Sequence, residues 1–359
     1  MVPEQTSAEV LNGRIFRASL EFADLLAVYL GDRLGYYAAL ASEPSLTAGE
    51  LAVATATHPR YAREWLEQQA MSGFLTTEDH NLGPEERRYA LPDGHAEVLV
   101  DGNSLNYLAP LARMYGAAAV QLPALLEAYR SGGGVAWSQF GTDMRESQAD
   151  VNRPWFLHTL GSEWIPAVAE LELRLSGGGK VADVGCGFGW SSIGIAKAYP
   201  NVTVDGIDAD QPSIVAANRH AAEEGVADRV RFLHADAATA AGEGSYDVVT
   251  AFECLHDMSQ PVAVLASMRR LAREDGFVLV VDERAAERFV PNGDDLERFL
   301  YGFSLFICLP DGMSQQPSAG TGTLMRPATL DRYAVEAGYS SVEILPIDHF
   351  QFRFYRLVK

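Results

Sequence analysis

The run Val181-Ala182-Asp183-Val184-Gly185-Cys186-Gly187-Phe188-Gly189-Trp190 constrains this chain more than any other segment. Short apolar residues of strand character enter three alternating glycines, and Ser191 to Ala198 continues with helical spacing. Glycines at such a turn let the backbone come close to a ligand, and Asp183 at the strand end offers an acceptor for a hydrogen bond or a cationic group. A dinucleotide fingerprint would need glycine where Trp190 stands, and neither a Walker lysine nor a basic phosphate clamp follows. The loop therefore predicts a cofactor site of another kind.

The pattern around it is an alternation of strands and helices. Strands are expected at Val181 to Val184, Val202 to Ile207, Val230 to Leu233, Asp247 to Phe252 and Phe277 to Val281. Helices are expected at Ser191 to Ala198, Pro212 to Glu224 and Pro261 to Leu271. This is a doubly wound α/β sheet. Val342 to Leu345 and Phe352 to Val358 are too close in sequence for a parallel crossover, so they must pair antiparallel.

The N-terminal part reads differently. Ile15, Phe16, Leu20, Phe22, Ala23, Leu26, Ala27 and Leu30 mark an amphipathic helix ending near Gly31. Thr47 and Glu50 form a capping box, Pro59 opens a further helix, and Phe74 to Thr77 with Arg88 to Leu91 predict a two-stranded wing. Glycine clusters at 132–134 and 177–179 look like borders. The expected domains are 1–102, a winged-helix and dimerisation module; 103–175, a helical connector; and 176–359, the cofactor-binding domain, with an insertion at 284–327.

A winged helix invites a DNA-binding reading, and charge decides against it. Residues 1–110 carry seven arginines, no lysine and sixteen acids, and the whole chain has a net charge of -20. Such a surface repels phosphate backbones and anionic headgroups. Cys186, Cys254 and Cys308 are widely spaced, so neither a disulfide framework nor a zinc knuckle is indicated, and no metal is expected. MVPEQTSAEV lacks the features of a secretory signal, and no apolar run spans a bilayer, so a reducing, cytoplasmic location is expected.

The glycine loop resembles the first motif of class I S-adenosylmethionine-dependent methyltransferases, and later strands continue the resemblance in order. Val204 to Asp208 ends in an acid placed like the family's ribose-binding carboxylate. Val230 to Ala237 resembles the third motif, Tyr246 to Glu253 the fourth, and the strand after Asp275-Gly276 the fifth. The resemblance implies a seven-stranded Rossmann-like sheet with a terminal antiparallel hairpin. It also implies S-adenosylmethionine as cofactor, held by Asp183, Gly185, Gly187, Gly189, Asp208, Asp236, Ala237 and Phe252. A ligand-free turn would leave Asp208 and Asp236 unexplained.

Cys254-Leu255-His256-Asp257-Met258 resembles the His-Asp-Trp segment of caffeic acid and related O-methyltransferases, with Met258 in place of Trp. The resemblance implies His256 as the general base, suited to taking a proton from a hydroxyl of pKa about 10. Asp282 and Glu283 end the neighbouring strand and are the candidate orienting acids. Tyr301, Phe303, Phe306, Cys308, Leu309, Met313 and Met325 make the insertion a candidate apolar lid. The implied protein is a homodimeric O-methyltransferase of a small apolar molecule, of the bacterial secondary-metabolism type. Methylation at nitrogen or carbon, non-methylating use of the cofactor, and a winged-helix regulator that senses the cofactor are the alternatives.

Overall fold

A computed structural model describes residues 6–359, so the first five residues of the segment read above for a leader lie outside the described residues. The chain forms two compact units, one ending at Gly116 and the other running Ala117–Lys359. Among the described residues, no helix is long and apolar enough to cross a membrane.

The first unit opens with α1 (Ser7–Arg33). It begins eight residues before the apolar stripe because Thr6 and Glu9 cap it reciprocally: Thr6 N donates to Glu9 Oε2 at 2.8 Å and Glu9 N to Thr6 Oγ1 at 3.3 Å. Then come α2 (Tyr36–Ser42), α3 (Ala48–Ala54) with its Thr47–Glu50 capping box, and α4 (Pro59–Met71) with proline in its first turn. A short wing, β1 (Thr76–Thr77) and β2 (Tyr89–Ala90), pairs antiparallel and is followed by α5 (Asp93–Leu99). Tyr36, Tyr37, Leu51, Trp65, Leu66 and Tyr89 fill the core between them. The α1 stripe is not covered in the same way: Val28 is buried, whereas Ile15 is 64% and Phe16 62% exposed.

Helix α6 (Ala109–Val120) contains the division between the units. The second unit continues with α7 (Leu122–Ser131), α8 (Trp137–Pro154), a π-helical segment Trp155–Trp164 and α9 (Ala169–Ser176). The two glycine clusters serve local ends here. Gly132, left-handed at φ 76°, closes α7, and Gly178 at φ 87° turns the chain into the sheet.

The alternating part comprises β3 (Lys180–Val184), α10 (Trp190–Ala198), β4 (Thr203–Asp208), α11 (Gln211–Glu223), β5 (Val230–His234), β6 (Tyr246–Phe252), α12 (Pro261–Leu271) and β7 (Ala272–Glu283). The insertion supplies α13 (Asp295–Phe303), a π-helical segment Ser304–Cys308 and α14 (Leu309–Gly312). Helix α15 (Pro327–Glu336), β8 (Ser341–Ile344) and β9 (Phe352–Val358) complete the chain. The seven strands lie in the order β5-β4-β3-β6-β7-β9-β8, with β9 antiparallel to both neighbours and the first five parallel.

Apolar layers bury both faces of this sheet, one centred on Trp164, Ile193 and Phe354 and the other on Val249, Leu265 and Tyr355. Strand order reverses between β3 and β6, and that switch point is where an open α/β sheet offers a crevice at its carboxyl edge.

Candidate active site

The glycine loop after β3 is built to stay open. Gly185, Gly187 and Gly189 take φ of 71°, 51° and 82°, where a side chain would be strained, and a Cβ on Gly187 would meet nothing within 4 Å. Beneath the loop, Asp183 is buried, and its carboxylate is taken up internally. Oδ2 accepts from Ser191 Oγ at 2.6 Å and Ser192 Oγ at 2.7 Å, and Oδ1 accepts from Thr250 Oγ1 at 2.8 Å. Asp183 thus ties β3, the first turn of α10 and β6 together.

Asp208, at the end of β4, is held in place from the loop. Its Oδ2 accepts from Gly187 N and its Oδ1 from Asp210 N, each at 2.8 Å. An ionised carboxylate has about four acceptor positions, so after these two bonds it can still receive the paired hydroxyls of a ribose. Asp236, after β5, is exposed and caps the next turn by accepting from Ala238 N at 2.9 Å, with Ala237 buried behind it. Phe252 sits differently: its ring is in the core, edge-on to Phe156 at 5.4 Å. The open loop, the partly accessible Asp208 and the exposed Asp236 stand at the carboxyl ends of β3, β4 and β5.

Beyond β6 the backbone breaks into a left-handed residue, Glu253, at φ 48°. Strain of this kind in a non-glycine residue concentrates at functional sites. The Glu253 carboxyl receives a hydrogen bond from Asn152, and burial pushes its pKa up to about 7 against that bond. Glu283 is buried near it, with Oε2 lacking a partner; burial and the Glu253 charge both raise its pKa.

His256 is 97% buried, and both of its ring nitrogens face acids. Nδ1 is 2.7 Å from Asp282 Oδ1, and Nε2 is 3.2 Å from Asp257 Oδ1. Burial alone would lower its pKa, but Asp257 and Asp282 outweigh it and hold it well above the usual histidine range. Of the two acids expected beside the histidine, Asp282 orients the ring, and Glu283 faces Glu253 instead.

The insertion seats on this loop. Trp137 N donates to Asp311 Oδ1 at 2.7 Å, Val135 N donates to the Pro310 carbonyl at 2.9 Å, and a Cβ on Gly312 would lie 3.0 Å from the Asp257 carbonyl. Leu300, Ile307, Cys308 and Met325 turn inward, and Tyr301 and Phe306 are exposed. Sequence reading missed Asn152 and the bidentate Arg145–Asp210 pair, at 2.7 and 2.8 Å. Nothing local marks either contact, since each joins segments far apart in the chain.

A model described as a methyltransferase domain matches residues 181–276, and one described as an Rv2258c-like winged HTH domain matches residues 23–101. A ubiquinone biosynthesis O-methyltransferase of Burkholderia pseudomallei is 30% identical over 191 residues, which is 52% of this chain and 74% of that protein. The chain belongs to the S-adenosylmethionine-dependent methyltransferases. Solved structures share its fold. The mitomycin 7-O-methyltransferase MmcR has a TM-score of 0.71 at 20% identity, covering 99% of this chain and 100% of that one. Human N-acetylserotonin methyltransferase in complex with SAM has a TM-score of 0.71 at 16% identity, covering 100% and 99%. The winged-helix unit and the seven-stranded sheet with its reversed hairpin are therefore those of a methyltransferase, and S-adenosylmethionine is its cofactor.

Proposed function

We propose that this methyltransferase acts on a hydroxyl of a small, largely apolar molecule, with His256 as the base and Asp282 as its orienting partner. The observation that carries the reading is the His256–Asp282 pair, at 2.7 Å, on the carboxyl edge of β6 and β7 beside the glycine loop. Bound S-adenosylmethionine supplies a methyl group already activated for transfer, so alignment and proton removal are left to the protein. Asp208 and Asp236 would hold the ribose and adenine. The ring first gives its Nε2 proton to Asp257, 3.2 Å away, or to water, and the freed lone pair then takes the proton of the substrate hydroxyl.

Methylation at oxygen is carried over from the named relatives, which act in ubiquinone biosynthesis, on mitomycin at its 7-oxygen and on N-acetylserotonin. The exposed Tyr301, Leu305 and Phe306 of the insertion support an apolar substrate.

The test uses methyl-labelled S-adenosylmethionine with phenols, hydroquinones and hydroxynaphthoates set against matched amines, and locates the label in the product by mass spectrometry. Label on oxygen is expected. Label on nitrogen or carbon, or cofactor turnover without a methylated product, refutes the reading.

The reading includes a homodimer. Val10, Leu11, Ile15, Phe16, Leu20 and Phe22 are each at least 49% exposed along α1, a larger apolar face than a monomer ordinarily leaves to water. Sedimentation velocity of the full chain should show a dimer, and a monomer at micromolar concentration refutes it.

A further inference from the structure

Besides the Asp282 bond, the His256 ring takes part in a second arrangement. His256 Nε2, a carboxylate oxygen of Asp257 and Cys308 Sγ all lie within 4.8 Å of one another. Histidine and cysteine are buried, at 3% and 7% exposure, and Asp257 leaves 27% of its side chain accessible, so the cluster opens on one side. The cysteine arrives from the insertion on the π-helical segment Ser304–Cys308, a distortion of the helix that recurs at functional sites.

Polar atoms around the cluster are left without partners. Asp282 Oδ2 and Glu283 Oε2 are buried without a hydrogen-bond partner, and Thr323, 99% buried, lies beside the Cys308 thiol.

We propose that His256 Nε2, Asp257 and Cys308 Sγ form a binding site for a thiophilic divalent cation of the zinc class, with Asp282 as the outer partner of the histidine. Three donors of nitrogen, oxygen and sulfur type with one open side are what zinc takes in sites that keep a position for water or substrate. Metal bonds of about 2.0 to 2.3 Å hold neighbouring donors about 3 to 4 Å apart, and the 3.2 Å between Nε2 and Asp257 Oδ1 already has that spacing. A ligating histidine ordinarily gives its other N–H to a carboxylate; Asp282 occupies that place at 2.7 Å. Magnesium and calcium prefer all-oxygen shells, so the thiolate selects against them.

The consequence goes beyond the proposed reaction. A cation on Nε2 takes the lone pair that would receive the substrate proton, so the loaded form cannot use His256 as a base. The cluster is then a point at which a metal ion holds the enzyme inactive.

The experiment titrates the chelator-stripped full chain with Co2+ alone and then displaces it with Zn2+. One equivalent of Co2+ should give tetrahedral visible bands and a thiolate-to-cobalt absorption in the near ultraviolet. Cys308→Ser should lose the thiolate absorption, and Asp282→Asn should weaken affinity about 10- to 100-fold with the absorption retained. Should Cys308→Ser lose its native circular dichroism, Asp257→Asn replaces it, with weakened binding and a retained thiolate band expected. The proposal is overturned if wild type shows no thiolate band, if the band survives in folded Cys308→Ser, or if Asp257→Asn and Asp282→Asn bind as wild type does. Metal binding is read without methyl transfer, so its failure and that of the proposed reaction are told apart.

Discussion

Replacing His256 by alanine should lower the turnover of hydroxyl methylation by about 10²- to 10⁴-fold, the range over which a positioned base contributes. Binding of S-adenosylhomocysteine, measured by calorimetry, should stay near the wild-type value, because the loop, Asp208 and Asp236 lie on other strand ends. The loss belongs in kcat, since the hydroxyl still binds but its proton has nowhere to go. Asp282→Asn should fall between the two, because the amide still meets Nδ1 but no longer carries the charge that stabilises the protonated ring. Two acids flank the ring, and they should separate in the same assay: Asp282 is buried and fixed at 2.7 Å, whereas Asp257 is partly accessible and holds Nε2 at 3.2 Å. Near-normal turnover of His256→Ala would remove the base role and favour methylation at nitrogen or carbon.

Elements with strong local signals are legible in the sequence. Pro261 starts α12 and the helix stops at Leu271, the span that the periodicity predicts, because proline fixes the first turn and the apolar spacing ends there. Strand β9 likewise matches its predicted span, since its apolar alternation starts directly after the irregular stretch 345–351. Other boundaries depend on contacts that no local pattern encodes. Strand β7 begins at Ala272 rather than Phe277, because its first residues pair with Tyr246 across a register shift. The α1 stripe predicts an amphipathic helix, and most of that apolar face stays exposed. Periodicity shows that a helix has an apolar face and is silent on what covers it.

The candidate site divides in the same way. Gly185, Gly187, Gly189, Asp208 and Asp236 stand at strand ends, so a correct strand list places them together on one edge. Side-chain direction is another matter: Asp183 turns under the loop and Phe252 into the core. Glu283 and Glu253 face each other only because β6 and β7 are neighbours, and Cys308 reaches His256 from 52 positions away through an insertion of no recognisable pattern. Metal-ligand spacing in sequence works for donors on one turn or hairpin. A cluster completed by a cysteine from a distant element leaves no such trace.

Asp183→Ala should destabilise the Ala117–Lys359 unit by about 3 to 5 kcal/mol, on the basis of about 1 to 3 kcal/mol for each buried polar group left unsatisfied. The carboxylate serves three hydroxyls, those of Ser191, Ser192 and Thr250, which are 4%, 0% and 2% exposed. The total falls short of three full penalties because some hydroxyls can turn to backbone carbonyls; Thr250 Oγ1 already lies 3.4 Å from the Ala182 carbonyl. For a unit of this size, roughly 2 to 4 °C of melting temperature accompanies each kcal/mol, so a fall of about 10 °C is expected in thermal unfolding. Asp183→Asn keeps one acceptor oxygen and should lose less. The same change loosens the start of α10, on which the glycine loop rests, so the folded fraction of Asp183→Ala should also bind S-adenosylhomocysteine more weakly. An unchanged melting temperature would mean that the three hydroxyls find other acceptors at no cost. A stable variant that had lost its affinity would instead make Asp183 a direct ligand of the cofactor, the role its place before the first glycine suggested.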